Sequence, residues 1–137
     1  MALGWRDDHN GGVIDHLDFL ERCRDGLDGV VVGEGAFSPG PAIWVGRREV
    51  AHFDDDDTLD VRLTKRLISE RRAELRPDVR VALRPRSSDW IDITIANESD
   101  RSFAEGIVQL AIEANRSTAA AGPPPTSAAL DGRRRFH

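Results

Sequence analysis

The chain has 137 residues, with 39% hydrophobic and 31% charged content and a formal net charge of −5. That length suits one domain, and the charge excludes a nucleic-acid binder, whose affinity would come from neutralising phosphates. One cysteine, Cys23, rules out an internal disulfide and fits a reducing compartment. No apolar run approaches the ~20 residues of a membrane span and no signal-peptide pattern opens the chain, so the expected location is cytoplasmic and no membrane partner is implied.

Residues 1–11 are polar and glycine-ended and are expected to be a flexible N-terminus. From Gly12 the apolar positions Val13, Ile14, Leu17, Leu20 and Leu27 follow a three-to-four residue spacing, which predicts a helix. Asn10 is the expected cap and Gly26 or Gly29 the stop. Val30-Val31-Val32 is β-branched and reads as a strand. Residues 33–41, GEGAFSPGP, read as a loop. Gly33-x-Gly35 within it has neither the third glycine nor the helix of a dinucleotide fingerprint.

A hairpin follows: Ala42–Val45, a type II′ turn at Gly46-Arg47, then Arg48–Phe53. The four aspartates Asp54–Asp57 form a second turn. They lack the spaced ligands and turn glycine of a calcium loop, so no metal is assigned; His52, Asp54 and Asp60 would offer only three hard ligands if they met. Leu59–Leu63 is the next strand. Thr64 is placed to cap a helix reaching about Leu75, with Leu63 and Ile68 as a hydrophobic staple. Pro77 ends it. Val79–Arg84 and Trp90–Ile95 alternate as half-buried strands around a turn at Pro85–Asp89. Ser102 and Glu105 fit a capping box for the last helix, whose apolar stripe is Phe103, Ile107, Leu110, Ala111 and Ala114. Residues 117–137 are Ala-, Pro- and Arg-rich and are expected to be a disordered tail carrying +2, leaving −7 on the rest.

The predicted architecture is α+β: a single antiparallel, possibly mixed, sheet of five to six strands, with three helices packed mainly on one face, spanning residues 12–116. Pairing across Gly46-Arg47 sets Val45 opposite Arg48, Trp44 opposite Glu49, Ile43 opposite Val50 and Ala42 opposite Ala51. Ile43, Val45, Val50 and His52 then share the core face, and Trp44, Glu49 and Ala51 the other. Leu59, Val61, Leu63, Val79, Val81, Leu83, Ile91, Ile93 and Ile95 point to the core. Away from the helices stand Trp44, Glu49, Asp60, Arg62, Arg80, Arg84, Trp90 and Asp92. Two tryptophans beside arginines make that face an expected ligand or partner surface, with Trp supplying apolar contact and Arg62, Arg80 and Arg84 gripping an anion.

Glu49-x-x-His52 would share a face on a helix, but on a regular strand the two point to opposite sides and need a bulge to meet. Cys23 reads as a buried thiol. No Ser-His-Asp grouping can be assembled.

RREVAHF at residues 47–53, Asp60 in LDVRL, Trp90 in WIDI and Asp100 before an alanine-rich last helix resemble the luciferase-like domain family, which has mostly uncharacterised bacterial members. The resemblance implies a small α+β fold and carries over to Glu49, His52, Asp60 and Trp90. Where members have a second His two places after the first, this chain has Asp54; where a glycine often precedes the first His, it has Ala51. A role needing two histidines is therefore not carried over.

The expected function is binding of a small anionic ligand or a protein partner on the Trp/Arg/carboxylate face, without a cofactor. The alternatives are an enzyme using Glu49 or Asp60 as general base near His52, and a self-associating module, a possible homodimer, pairing through its sheet.

Overall fold

The computed structural model describes residues 14–37 and 39–116. The expected N-terminal stretch, the Asn10 cap, Val13 and the tail at 117–137 lie outside the described residues.

Helix α1 (His16–Arg24) begins at Asp15, whose carboxylate accepts from the Asp18 N–H at 3.0 Å. The strands are β1 (Val30–Glu34), β2 (Pro41–Val45), β3 (Arg48–Phe53), β4 (Thr58–Arg62), β5 (Val81–Leu83) and β6 (Trp90–Thr94). They form one sheet in the order β1-β2-β3-β4-β6-β5, antiparallel at every pairing. The short helices α2 (Lys65–Glu70) and α3 (Arg72–Leu75) and the long α4 (Glu98–Arg116) complete the domain. This is the predicted α+β class, with the expected 64–75 helix broken at Arg71 into two.

Helix α1 packs on β1 and β2, and α4 on β3 and β4. Both cover one face of the sheet, where Phe19, Leu20, Ile43, Val50, Leu59, Val61, Ile91, Ile93, Val108 and Ile112 make the main core. Buried Asn115 fastens α4 to the sheet: it accepts from Arg48 Nε at 2.7 Å and donates to the Arg62 carbonyl at 2.8 Å.

Local expectations fail where a neighbour overrides the pattern. Helix α4 starts four residues before Ser102, because Asn97 caps it by accepting from the Asp100 N–H at 2.8 Å. The buried stripe is accordingly Ala104, Ile107, Val108, Ala111 and Ile112, with Phe103 and Leu110 at its margins. Leu17 is exposed, and Val79 is 98% exposed because it lies in the turn before β5. Arg80 also precedes β5, and its guanidinium stacks 3.8 Å from the Phe103 ring of α4. Arg80 therefore belongs to the helix side, not to the Trp face.

Candidate functional site

The hairpin turn forms as expected, with Gly46 at φ +58° and Arg47 on the negative side. Val45 pairs with Arg48 and Trp44 with Glu49. The register then slips: Ile43 pairs with Ala51 and Ala42 with His52, leaving Val50 as an extra residue on β3. This is a β-bulge, in which two residues of one strand oppose one of the other. Val50 and Ala51 consequently both join the helix-side core, and His52 turns to the outer face beside Glu49. The expectation that His52 lies on the core face and Ala51 on the outer one is thus reversed.

The bulge assembles a line of charges across the outer face. Glu49 Oε2 lies 2.8 Å from His52 Nδ1, and His52 Nε2 lies 3.0 Å from Asp60 Oδ2. Asp60 is the cross-strand partner of both His52 on β3 and Asp92 on β6. Arg84, just past β5, places one guanidinium nitrogen 3.1 Å from Asp60 and 2.7 Å from Asp92. Glu49, His52 and Asp60 are each 1% exposed. The Arg84 and Asp92 side chains, at 26% and 29%, are where the line reaches solvent.

These contacts set the protonation states. Burial alone would pull His52 down, but its hydrogen bonds to Asp60 and Glu49 outweigh that and hold the imidazole up at about 9. His52 is therefore an imidazolium at neutral pH, hydrogen-bonded to Asp60 through Nε2 and ion-paired with Glu49 at Nδ1. Burial works against the Asp60 charge as well, yet the bonds to His52 and Asp92 keep its carboxyl below the usual value. Asp92 is pushed up to about 6 by burial and by its hydrogen bond to Asp60, against the pull of Arg84.

Aromatic rings seal the inner part. Trp44 is wholly buried, its indole N–H donating to the Glu34 carbonyl at 3.0 Å, and it packs with Ala36, Ala42 and Phe37 apart from the main core. The segment after β1 is tied over it by the Ala36 N–H, which donates to Glu49 Oε1 at 2.7 Å. Trp90 is 7% exposed, with its ring 5.1 Å from that of His52 and 5.6 Å, edge-on, from that of Phe37. The Arg62 guanidinium lies 5.0 Å from the Trp90 centroid and 5.6 Å from that of Phe37.

Of the expected surface residues, Trp44, Glu49, Asp60, Arg62, Arg84 and Trp90 do gather on the face away from the helices, and Arg80 does not. The open aromatic surface is not found: Phe37 and its neighbours cover both indoles. Glu49 and Asp60 are likewise buried. Asp92, paired across the strands with Asp60, is the carboxylate of this line that reaches solvent. Both nitrogens of His52 are engaged by carboxylates, and Asp54–Asp57 are exposed. Among the described residues no group of three or more His, Cys, Asp or Glu is placed to hold a metal ion. Cys23 is buried, and burial with the nearby Glu105 charge pushes its thiol up to about 12, which leaves it inert. No helix among the described residues is long and apolar enough to cross a membrane.

Residues 47–111 match the family model described as Luciferase domain. The matched segment, just under half of the chain, contains Glu49, His52, Asp60, Arg62, Arg84, Trp90 and Asp92, and the resemblance read from the sequence is borne out. No curated protein and no solved structure matches this chain. The matched segment runs from the hairpin turn into α4. It thus includes the whole line of charges but neither Phe37 nor Trp44, which seal that line from outside the segment.

Proposed function

We propose that this domain binds a small anionic ligand on the outer face of β4 and β6, with Arg62 and Arg84 gripping the anion and Phe37, which packs on Trp90, giving apolar contact. The observation that carries the reading is a cross-strand square. Asp60 pairs with Asp92 and Arg62 with Trp90, all on one face. Paired side chains stand about 5 Å apart and successive ones on a strand about 7 Å, so one small molecule spans the square. His52 and Arg84 together balance the Glu49 and Asp60 charges, and the guanidinium groups of Arg62 and Arg84 stay partly exposed. Trp44, Glu49 and His52 support this surface from below and do not touch the ligand.

A titration with phosphate and with benzoate, followed through the Trp90 indole N–H resonance, tests the reading. Both ions shift that resonance, and benzoate, which also has a ring to stack, does so at lower concentration. Arg62→Ala weakens binding about tenfold, a loss of ~1.4 kcal/mol. Protonation of Asp92 removes a negative charge beside Arg84, so affinity rises as the pH falls through about 6. A Trp90 resonance that neither ion moves would refute the site.

A further inference from the structure

The buried line ends in a half-exposed carboxyl, which an anion-binding surface by itself does not require. We infer that Asp92 is the proton-transfer group of an active centre whose substrate is an enolisable carboxylate carrying an aromatic ring, such as an aryl-substituted 2-oxo acid. The inference rests on the binding site proposed above and adds a reaction to it.

Three features of the square select this chemistry. Arg62 sits diagonally across from Asp92, so a carboxylate held by Arg62 places the carbon two or three bonds away near the Asp92 oxygens. The partly exposed Phe37 ring, packed edge-on against Trp90 and beside Arg62, offers apolar contact for the substrate ring. The Arg84 guanidinium, 2.7 Å from Asp92, lies where negative charge develops on the carbonyl oxygen.

In the reaction the Asp92 carboxylate takes a proton from the carbon next to the keto group. The C–H electron pair becomes the new C=C bond, and the carbonyl π pair moves to oxygen as an enolate beside Arg84. Asp92 then returns the proton to that oxygen, so the product is the enol and the carboxylate is restored without a co-reactant.

The groups facing Asp92 explain why it can both take and give a proton. Asp60 on β4 hydrogen-bonds to it, with His52 and then Glu49 behind on β3, and Arg84 stands at the end of β5. A carboxyl held near 6 carries its proton loosely enough to release it at neutral pH and is basic enough to accept one. Asp60 and His52 are positioning residues that act through Asp92.

Tautomerisation of phenylpyruvate by the full chain, followed by enol absorbance, is the test, with binding read separately from the Trp90 resonance. The rate is expected to rise with pH through a midpoint of about 6. Asp92→Asn lowers it at least ~100-fold, the usual weight of a positioned acid–base group, while phenylpyruvate still shifts Trp90. Asp92→Glu recovers part of the rate. Asp60→Asn moves the pH midpoint downward, where a merely structural role would lower the amplitude and leave the midpoint in place. Equal rates for Asp92→Asn and the parent overturn the inference, as does phenylpyruvate that fails to bind. Benzoate and phenylpyruvate binding without any acceleration overturns the reaction and leaves the binding site standing. Silence of Trp90 to every ligand removes both.

Discussion

Both faces of this sheet bury side chains, but by different physics. On the helix side, Ile43, Val50, Leu59, Val61, Ile91 and Ile93 are interchangeable members of an apolar layer under α1 and α4. Their contribution scales with area removed from water and has little direction. On the outer side, Glu49, His52 and Asp60 are equally buried, yet each is tolerable only because the next is present. An apolar layer degrades by degrees. A buried charge line fails as a unit, because removing one member strands its neighbours.

The sharpest contrast between the faces comes from His52→Ala. It leaves Glu49 and Asp60 as buried carboxylates without their shared cation, and the loss expected is about 3–5 kcal/mol. Ile93→Val on the helix side removes one methyl from the layer and costs about 0.5–1.5 kcal/mol. Urea unfolding of both variants gives the comparison directly. If His52→Ala is no more damaging than Ile93→Val, the outer line is not energetically coupled.

A smaller effect, confined to the outer face, comes from pH. The folded-state value of His52 is raised from 6.5 to about 9. The native state therefore binds its proton more tightly than the unfolded chain does. That stabilisation is complete below about 6.5 and is lost as the pH rises through about 9, on the order of 3 kcal/mol in all. Asp92 also binds its proton more tightly when folded, so between its ordinary value and about 6 stability falls with rising pH as well. Asp60 is depressed and acts oppositely, contributing above the ordinary carboxylate range and losing that contribution in acid. Unfolding midpoints between pH 6 and 10 check the main term: the parent weakens across this range, and His52→Gln removes most of the slope. A flat parent profile would mean that the imidazole is not held as a cation.

The helix-side face was the more legible in the sequence, for a physical reason. Alternation in LDVRL and WIDITI has period two, and a regular strand obeys it, so Leu59, Val61, Ile91, Ile93 and Ile95 were placed correctly. The outer face depended on Val50. An extra residue in a strand changes which side every later residue faces, but leaves no mark in composition. The one hint was Glu49-x-x-His52, two polar residues three apart around Val50 and Ala51, a spacing that only a bulge brings to one side. Exposure was less legible still. Trp44 and Trp90 lie on the side that alternation assigned, but covering them requires the segment after β1 to fold back over the sheet, a contact between residues 36 and 49 that no local pattern encodes. Arg80 and Val79 failed because β5 starts two residues later than its pattern suggests.

Thr64 lies at the end of the sheet's fourth strand and belongs to neither face, so the smallest change is expected there. It is the only non-glycine residue with a positive φ among those described, at φ 83° and ψ 146°. That region is nearly reserved for glycine and costs a β-branched residue of order 1–3 kcal/mol. What holds Thr64 there is capping: its hydroxyl accepts from the Leu67 N–H at 3.3 Å, and its own N–H donates to the Asp89 carbonyl at 2.9 Å. Asp89 also accepts from the Lys65 N–H at 2.9 Å, so the start of α2 keeps one side-chain acceptor without the threonine. Thr64→Gly relieves the strain, gives up a cap at a cost of a few tenths of a kcal/mol, and adds chain entropy to the unfolded state. The net expectation is a gain of about 0.5–1 kcal/mol, which raises Tm by a few degrees in a domain of this size. A lower Tm would show that the hydroxyl cap outweighs the backbone strain, and that the junction between β4 and α2 is held by hydrogen bonding to Thr64 more than by Asp89.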